Sequence, residues 1–243
     1  MHSFTFNGLN SRTYCKMFVS GGGTFNAPER DVESISVPGR NGTLTIDHGR
    51  YENIQVEYPA WIAEDFDMNM AKARVWLCKS PGYKRLEDDY HPNEFRMAKY
   101  VSGLEVTPIV SAGDYLGGQM TLRFDCMPQR FLKSGEVQKS LLATDVVVNP
   151  TEFVALPLIV VNGDGQGTIT VNGNVFRLNN IQNGMIIDSE MQKTYVGTTS
   201  LDLYTEGDYP VLQPGVNNIV YATVPGTGSH ITSSIITPRW WTL

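Results

Sequence analysis

The alternation of apolar and polar residues in segment 35–46 predicts two strands joined by a tight turn. On both sides of the turn, apolar residues recur at every second position, at Ile35, Val37, Leu44 and Ile46. This period of two is typical of a half-buried strand. Pro38 fixes one φ angle of the turn, and the glycines on either side of Arg40 and Asn41 tolerate positive φ. The segment is therefore predicted to form a β-hairpin with Arg40 and Asn41 at its tip.

The same alternation predicts half-buried strands at Ile54 to Tyr58 and at Met120 to Cys126. Gly and Pro separate such β-rich runs roughly every eight to twelve residues, which is the spacing of sandwiches and barrels. One segment has a helical period instead. In Asp65 to Lys79 an apolar stripe is formed by Phe66, Met70, Ala73 and Leu77. We therefore expect a mostly β protein whose N-terminal domain carries one α-helix.

The second half of the chain reads as consecutive hairpins. Leu158 to Val161 and Ile169 to Val171 are predicted as strands with a glycine-rich turn, 163–167, between them. Asn172-Gly173 then predicts a two-residue hairpin turn before the next strand, Val175 to Leu178. The alternation weakens between the two halves, so we place the domains at 1–140 and 141–243. The second is predicted to be an antiparallel β-sandwich.

Composition favours a packed protein and disfavours two kinds of partner. The chain has 243 residues, 41% hydrophobic and 18% charged, which is ample for a core. Residues 1–135 contain 15 Lys and Arg against 16 Asp and Glu, and residues 136–243 contain 4 against 9. Neither half has the cationic surplus of a protein that binds nucleic acid tightly. Apolar runs are too short for membrane insertion, and the first 20 residues lack the apolar core of an export signal.

No segment predicts catalysis, a cofactor or a metal. The glycines of 163–167 resemble a phosphate loop, but a strand pattern follows them where a helix is required. The four histidines occur singly, and no nucleophile elbow is present. Glu87-Asp88-Asp89 lies beside Lys84 and Arg85 and is interpreted as a solvated loop of mixed charge. We therefore predict no enzyme activity, no catalytic residues, no cofactor and no metal site.

The cysteines and the C-terminal tryptophans complete the candidate residues. Cys15, Cys78 and Cys126 are widely spaced, so we expect reduced residues in or near the core. Trp240 and Trp241 are adjacent in the last segment and would face opposite sides of a strand. Trp241 could then contact another protein, stack on a sugar, or pack within its own chain.

Taken in order, several segments resemble the distal tail protein family of bacteriophages with long non-contractile tails. They are Phe6-Asn7-Gly8, Val37 to Gly42, Gly49 to Asn53, Val75-Trp76-Leu77, Gly82 to Asp88, Asn149-Pro150, Ala155-Leu156-Pro157, Gly163 to Gly173 and Pro238 to Leu243. Each segment alone has little specificity, but together they span nearly the whole chain in family order.

The resemblance implies an N-terminal β-sandwich or split-barrel-like domain with one helix, whose copies form a ring that is hexameric in the family's pattern. It also implies a C-terminal galectin-like β-sandwich. Such a ring joins the tail tube protein to the tail-tip protein and the receptor-binding protein, and leaves a channel for DNA. The expected location is the virion tail tip, after synthesis in the bacterial cytoplasm. Arg40, Asn41 and Trp241 are the candidate assembly contacts.

A different class of function stays open at this point. The C-terminal domain could instead be a carbohydrate-binding module that contacts the host cell wall. A galectin-like fold does not by itself imply sugar binding, because function depends on particular sites.

Overall fold

A computed structural model, which describes residues 2–226 and 228–243, shows a mostly β chain with antiparallel sheets. This confirms the predicted fold class, a mostly β protein with antiparallel sheets. The chain divides into two compact units, the first ending at Arg130 and the second spanning Phe131–Thr242. Neither helix in the described ranges is both long and apolar enough to cross a membrane.

The first unit contains a large sheet, a separate hairpin and two helices. The strands are β1 (Phe4–Phe6), β2 (Leu9–Asn10), β3 (Met17–Val19), β4 (Arg30–Ser36), β5 (Thr43–Tyr51), β6 (Ile54–Ile62), β7 (Lys84–Asp88), β8 (Glu94–Tyr100), β9 (Val106–Ser111) and β10 (Asp114–Cys126). The helices are α1 (Ser11–Cys15) and α2 (Phe66–Lys79). The sheet has the order β2-β1-β7-β8-β10-β6-β3, and β9 pairs with β10.

The predicted alternation produces the core of this unit. Strand β6 buries every second residue from Ile54, and β10 does the same from Met120, so both half-buried strands are confirmed. Helix α2 begins one residue after its predicted start and covers this core with Met70, Ala73 and Leu77. The short helix α1 was not predicted. It is capped by the Asn10 side chain, which accepts hydrogen bonds from the next turn.

The second unit is a sandwich built around one very long strand. Its strands are β11 (Arg130–Leu132, which begins at the boundary), β12 (Lys139–Leu141), β13 (Thr144–Asn149), β14 (Leu158–Val171), β15 (Asn174–Ile181), β16 (Met185–Asp188), β17 (Lys193–Val196), β18 (Thr199–Ser200), β19 (Thr205–Glu206), β20 (Gly215–Thr223), β21 (His230–Thr237) and β22 (Trp241–Thr242). Short 3₁₀ helices span Lys133–Glu136 and Asp202–Tyr204. One sheet has the order β12-β21-β14-β16-β17-β18, and β14 also joins β15 and β20, which pair with β19 and β13.

The predicted glycine-rich turn at 163–167 is wrong, because the chain continues through it as β14. Before these glycines the strand pairs with β16 and β21, and after them it pairs with β15 and β20. Register shifts at Gly163 and Gly165 let one strand bend between two sheets. A Cβ at Gly163 would lie 2.1 Å from the His230 carbonyl oxygen. The glycines therefore allow close backbone approach at a corner, whereas the predicted Asn172-Gly173 turn does form, between β14 and β15.

The boundary between the units lies ten residues before the predicted one at 140/141. Residues after Arg130 pair with the end of the chain, since the Leu132 N–H donates to the Trp240 carbonyl and the Arg239 N–H donates to the Gly135 carbonyl. These contacts join distant parts of the sequence. The weakening alternation could therefore not locate them.

The C-terminal segment is held by a partly buried ion pair. Arg239 donates from Nη1 and Nη2 to the two carboxylate oxygens of Asp188, at 2.8 and 3.1 Å. Burial alone would raise the pKa of Asp188, but the hydrogen bonds from Arg239 and nearby backbone N–H groups outweigh it and leave that pKa below its usual value. The Asp188 side chain is only 5% exposed. Removal of Arg239 would therefore leave a buried carboxylate without its cation.

We expect Gly163→Ala to lower the free energy of unfolding by more than about 2 kcal/mol, because a side chain there meets backbone and the residue has a φ of 141°. Gly173→Ala is the control. Gly173 also has a positive φ, 88°, but a Cβ added there would face open space. This substitution should therefore cost about 1 kcal/mol. Urea denaturation measures both. Equal losses would contradict the role of Gly163 at the corner.

Arg239→Met should cost about 3 kcal/mol at pH 7 and progressively less below about pH 4. A depressed carboxylate pKa contributes stability above the unfolded value, and this contribution is lost as pH falls through the native value. Arg177→Met is the control, since Arg177 lies 3.9 Å from Glu206 with both side chains exposed; its effect should stay within about 0.5 kcal/mol. Denaturation as a function of pH tests this, and a loss from Arg239→Met that stays constant down to pH 3 would contradict it.

Candidate assembly surface

The predicted hairpin is formed by β4 and β5. Ile35 lies opposite Leu44 in the register, and the Arg40 N–H donates to the Val37 carbonyl across the turn at 3.2 Å. Gly39 has a φ of 79°, as the third position of such a turn requires after proline. The turn therefore reverses the chain where the sequence predicted it.

The prediction that these strands are half-buried is wrong for the single chain, where their apolar residues are exposed. Ile35, Leu44 and Ile46 are 38%, 45% and 41% exposed. The register places Glu33 opposite Ile46, so the three apolar residues share one face with Glu33. In the described ranges β4 and β5 form a sheet of two strands only. The hairpin thus has an apolar face that its own chain leaves uncovered.

Ion pairs support the base of the hairpin. Arg30 donates to Asp47 from Nη2 at 2.8 Å and lies over the Tyr51 ring, while the Arg50 Nε donates to Asp31 at 2.6 Å. These arginines hold the pKa of each partner carboxyl below its usual value through hydrogen bonding. The pairs cross between the strands. They hold β4 and β5 together at the end far from the turn.

Arg40 and Asn41, two of the predicted assembly contacts, are exposed at the tip. Within the described residues the Arg40 side chain takes part in no hydrogen bond or ion pair. The guanidinium is therefore available to a partner.

Trp241, the third predicted contact, is used largely within its own unit. Its ring stacks on Phe153 with centroids 4.3 Å apart, and its indole N–H donates to the Val154 carbonyl at 2.9 Å. Trp240 is buried in the core of the second unit. The two rings do face different surroundings, as the sequence indicates, but the structure does not bring Trp241 together with Arg40 and Asn41 in one site.

A second exposed hairpin was not predicted. Strands β9 and β10 continue past the sheet to a turn at Ala112-Gly113, where both residues have positive φ. Val110 and Tyr115 are paired near this turn and are 53% and 57% exposed. The sequence has apolar residues on either side of the Ala-Gly pair, a pattern that is compatible with a hairpin. Alanine is rare at such a turn, so the pattern does not predict one.

A polar groove lies on the outer face of the first unit's sheet. Its volume is about 890 Å³, and it is bounded by β6, β10 and the segment from Ser102 to Thr107. Its lining residues include Trp61, Gln119, Arg123 and Glu105. The Arg123 Nε donates to Glu57 at 2.7 Å, so that guanidinium already has an acidic partner. The groove could not be predicted, because it depends on which loop crosses the sheet.

The acidic run at 87–89 is not the solvated loop that its composition predicted. Asp88 ends β7 and accepts hydrogen bonds from the Tyr58 hydroxyl, at 2.6 Å, and from the His91 N–H. The Asp89 carboxylate accepts from the Ser3 N–H and hydroxyl. Burial, with the nearby Asp88, raises the pKa of Tyr58 well above its usual value. These carboxylates hold strands together.

The remaining chemistry-bearing residues are scattered. Cys15 and Cys126 are buried as expected, and burial raises their thiol pKa values to about 11 and about 12. The expectation is wrong for Cys78, which is exposed on α2. Among residues 2–226 and 228–243, no three His, Cys, Asp or Glu side chains are grouped so that they could hold a metal ion.

No protein-family model matches the chain, and no curated protein matches it by sequence. Its fold is similar to that of the SPP1 Dit (gp 19.1) protein, with a TM-score of 0.72, 13% sequence identity and coverage of 100% of both chains. The crystal structure of that protein is described as a paradigm of the hub adsorption apparatus in phages that infect Gram-positive bacteria. The chain therefore shares its fold with a protein of a phage hub adsorption apparatus.

Proposed function

We propose that this protein is the distal tail hub of a bacteriophage with a long non-contractile tail. Copies of it form a ring, hexameric in the pattern that the family resemblance implies. The ring connects the tail tube to the tail-tip and receptor-binding proteins and leaves a channel for DNA. The observation that carries the proposal is the β4–β5 hairpin, which is well formed but has an uncovered apolar face.

A two-stranded hairpin is at most marginally stable in water unless another layer covers its apolar side. Three large aliphatic side chains on one face of such an element are typical of a surface that another molecule covers. Contact between different surfaces of identical subunits closes a ring when the rotation between neighbours permits it. An exposed hairpin that packs on the next copy supplies this kind of contact.

The full-length similarity to a protein of a phage hub adsorption apparatus supports the same role, and it favours a location at the virion tail tip, following synthesis in the bacterial cytoplasm. The charge of the first 135 residues, −1 by the counts above, suits a wall that DNA passes without being held. On the outer face of the sheet, Lys99 pairs with Asp125 at 2.9 Å and Arg123 pairs with Glu57. Neutralised pairs of this kind offer few free cations to phosphates.

The hub accounts for the exposed hairpin, whereas carbohydrate binding does not. The aromatic residue that suggested a sugar platform, Trp241, has one face against Phe153 and its N–H bonded to its own chain. We accordingly propose the hub as the function and assign the protein no enzyme activity or cofactor.

Ile35→Asp should abolish assembly while changing the stability of the isolated chain by no more than about 0.5 kcal/mol, because the side chain is exposed before assembly and covered after it. Ser34→Asp is the matched control, since Ser34 is exposed on the opposite face of the same strand. Light scattering and native mass spectrometry over a concentration series measure the oligomer, alone and with the tail tube and tail-tip proteins.

We expect rings for the wild type and Ser34→Asp, and smaller species for Ile35→Asp. Rings of undiminished stability from Ile35→Asp would show that the apolar face is not an assembly contact. A wild type that stays monomeric under all these conditions would contradict the hub.

A further inference from the structure

A small cavity in the first unit lies where charged side chains meet the hydrophobic core. Its lining includes Tyr58 of β6, Leu86 and Asp88 of β7, His91, and Glu94 and Arg96 of β8. Its volume is about 20 Å³. A water-sized particle needs roughly 10–15 Å³, whereas a pocket for an organic ligand has about 300 Å³ or more. The cavity therefore admits only a water molecule or an ion of similar size.

Arg96 provides this cavity with a cation whose donors are unsatisfied. The register places Arg96 opposite Leu86, which is buried in the core, so both side chains lie on the same face of the sheet. The Nη1 and Nη2 atoms of Arg96 are buried and, within residues 2–226 and 228–243, have no hydrogen-bond partner. Burial, together with the charge of Arg130, lowers the pKa of Arg96, but a guanidinium stays protonated. Buried donors without acceptors are costly, so this position favours a negatively charged acceptor.

The two nearby carboxylates already have donors of their own. Asp88 accepts a hydrogen bond from the Tyr58 hydroxyl at 2.6 Å, and Glu94 accepts one from Arg130 Nη1 at 3.4 Å. The Arg130 Nε atom is also buried and has no partner among the described residues. Arg96 and Arg130 together thus have three buried nitrogen atoms that lack an acceptor.

We propose that this cavity binds a monatomic anion of the halide class, which is chloride in ordinary buffers, with Arg96 as its main donor and Arg130 as a second positive charge. A halide accepts several N–H donors at once and supplies the counterion that Arg96 lacks within the described residues. A water molecule would find an acceptor in the buried Nε2 of His91, but it supplies no charge. Phosphate, sulfate and carboxylates are too large for the cavity. This inference concerns the first unit alone and does not depend on the proposed hub.

Chloride should stabilise the first unit, because it binds the folded form only. Once its concentration exceeds the dissociation constant, each tenfold rise in chloride should increase the folding equilibrium constant about tenfold. Urea denaturation of the full chain measures this in mixtures of sodium chloride and sodium gluconate at constant ionic strength, and bromide should act like chloride. Hydrogen exchange at the amides of β7 and β8 assigns the effect to the first unit.

Arg96→Met should abolish this chloride dependence, because it removes the buried donors and the charge. Arg123→Met is the matched control, since Arg123 is exposed, pairs with Glu57 on the same sheet and should keep the full dependence. A dependence that survives in Arg96→Met would overturn the site, because the anion would then bind elsewhere. A wild type that is equally stable in chloride and in gluconate would also overturn it.

Crystals of the wild type in sodium bromide provide a test that needs no variant. An anomalous-scattering peak in hydrogen-bonding contact with the Arg96 nitrogens supports the site. A cavity that holds only a water molecule, with no anomalous peak, would overturn it even if Arg96→Met failed to fold. A peak from a protein whose stability does not respond to chloride would mean binding at crystal concentration only, and this would overturn the proposal as well.

Discussion

Every apolar face of a β-sheet must be covered, and this constraint determines most of the structure. In the first unit, α2 covers the apolar side of the large sheet. In the second, β14 bends so that two sheets cover each other. The β4–β5 hairpin is an exception, because among the described residues Ile35, Leu44 and Ile46 stay 38%, 45% and 41% exposed. The function proposed for the protein follows from that exception.

The sequence predicts those parts of the fold that depend on local pattern. Alternation located β6 and β10, the helical period located α2, and Asn172-Gly173 located a turn. Alternation also predicts that the β4–β5 hairpin is half-buried. The pattern cannot specify whether the layer that covers its apolar face belongs to the same molecule or to another one. An apolar face has the same period whether the covering layer belongs to its own chain or to another.

Other features depend on contacts between distant residues. The glycines of β14 look like a turn because turns and close backbone approaches both require glycine, and only the position of His230 distinguishes them. Asp88 looks solvated until Tyr58 is placed next to it. Of the candidate surface, Arg40 and Asn41 are found from their turn, whereas the polar groove beside β6 and β10 is not, because a groove has no signature in one sequence.

The ion pairs at the base of the hairpin have a further consequence for the chain before it finds its partners. Both β4 and β5 have an unpaired edge in the described structure, and open edges beside apolar residues can recruit other strands and form aggregates. Arg30, Asp31, Asp47 and Arg50 place charges along these edges, which disfavours irregular stacking of strands. These charges disfavour the addition of an unrelated strand, so that the hairpin stays protected until the correct surface covers it.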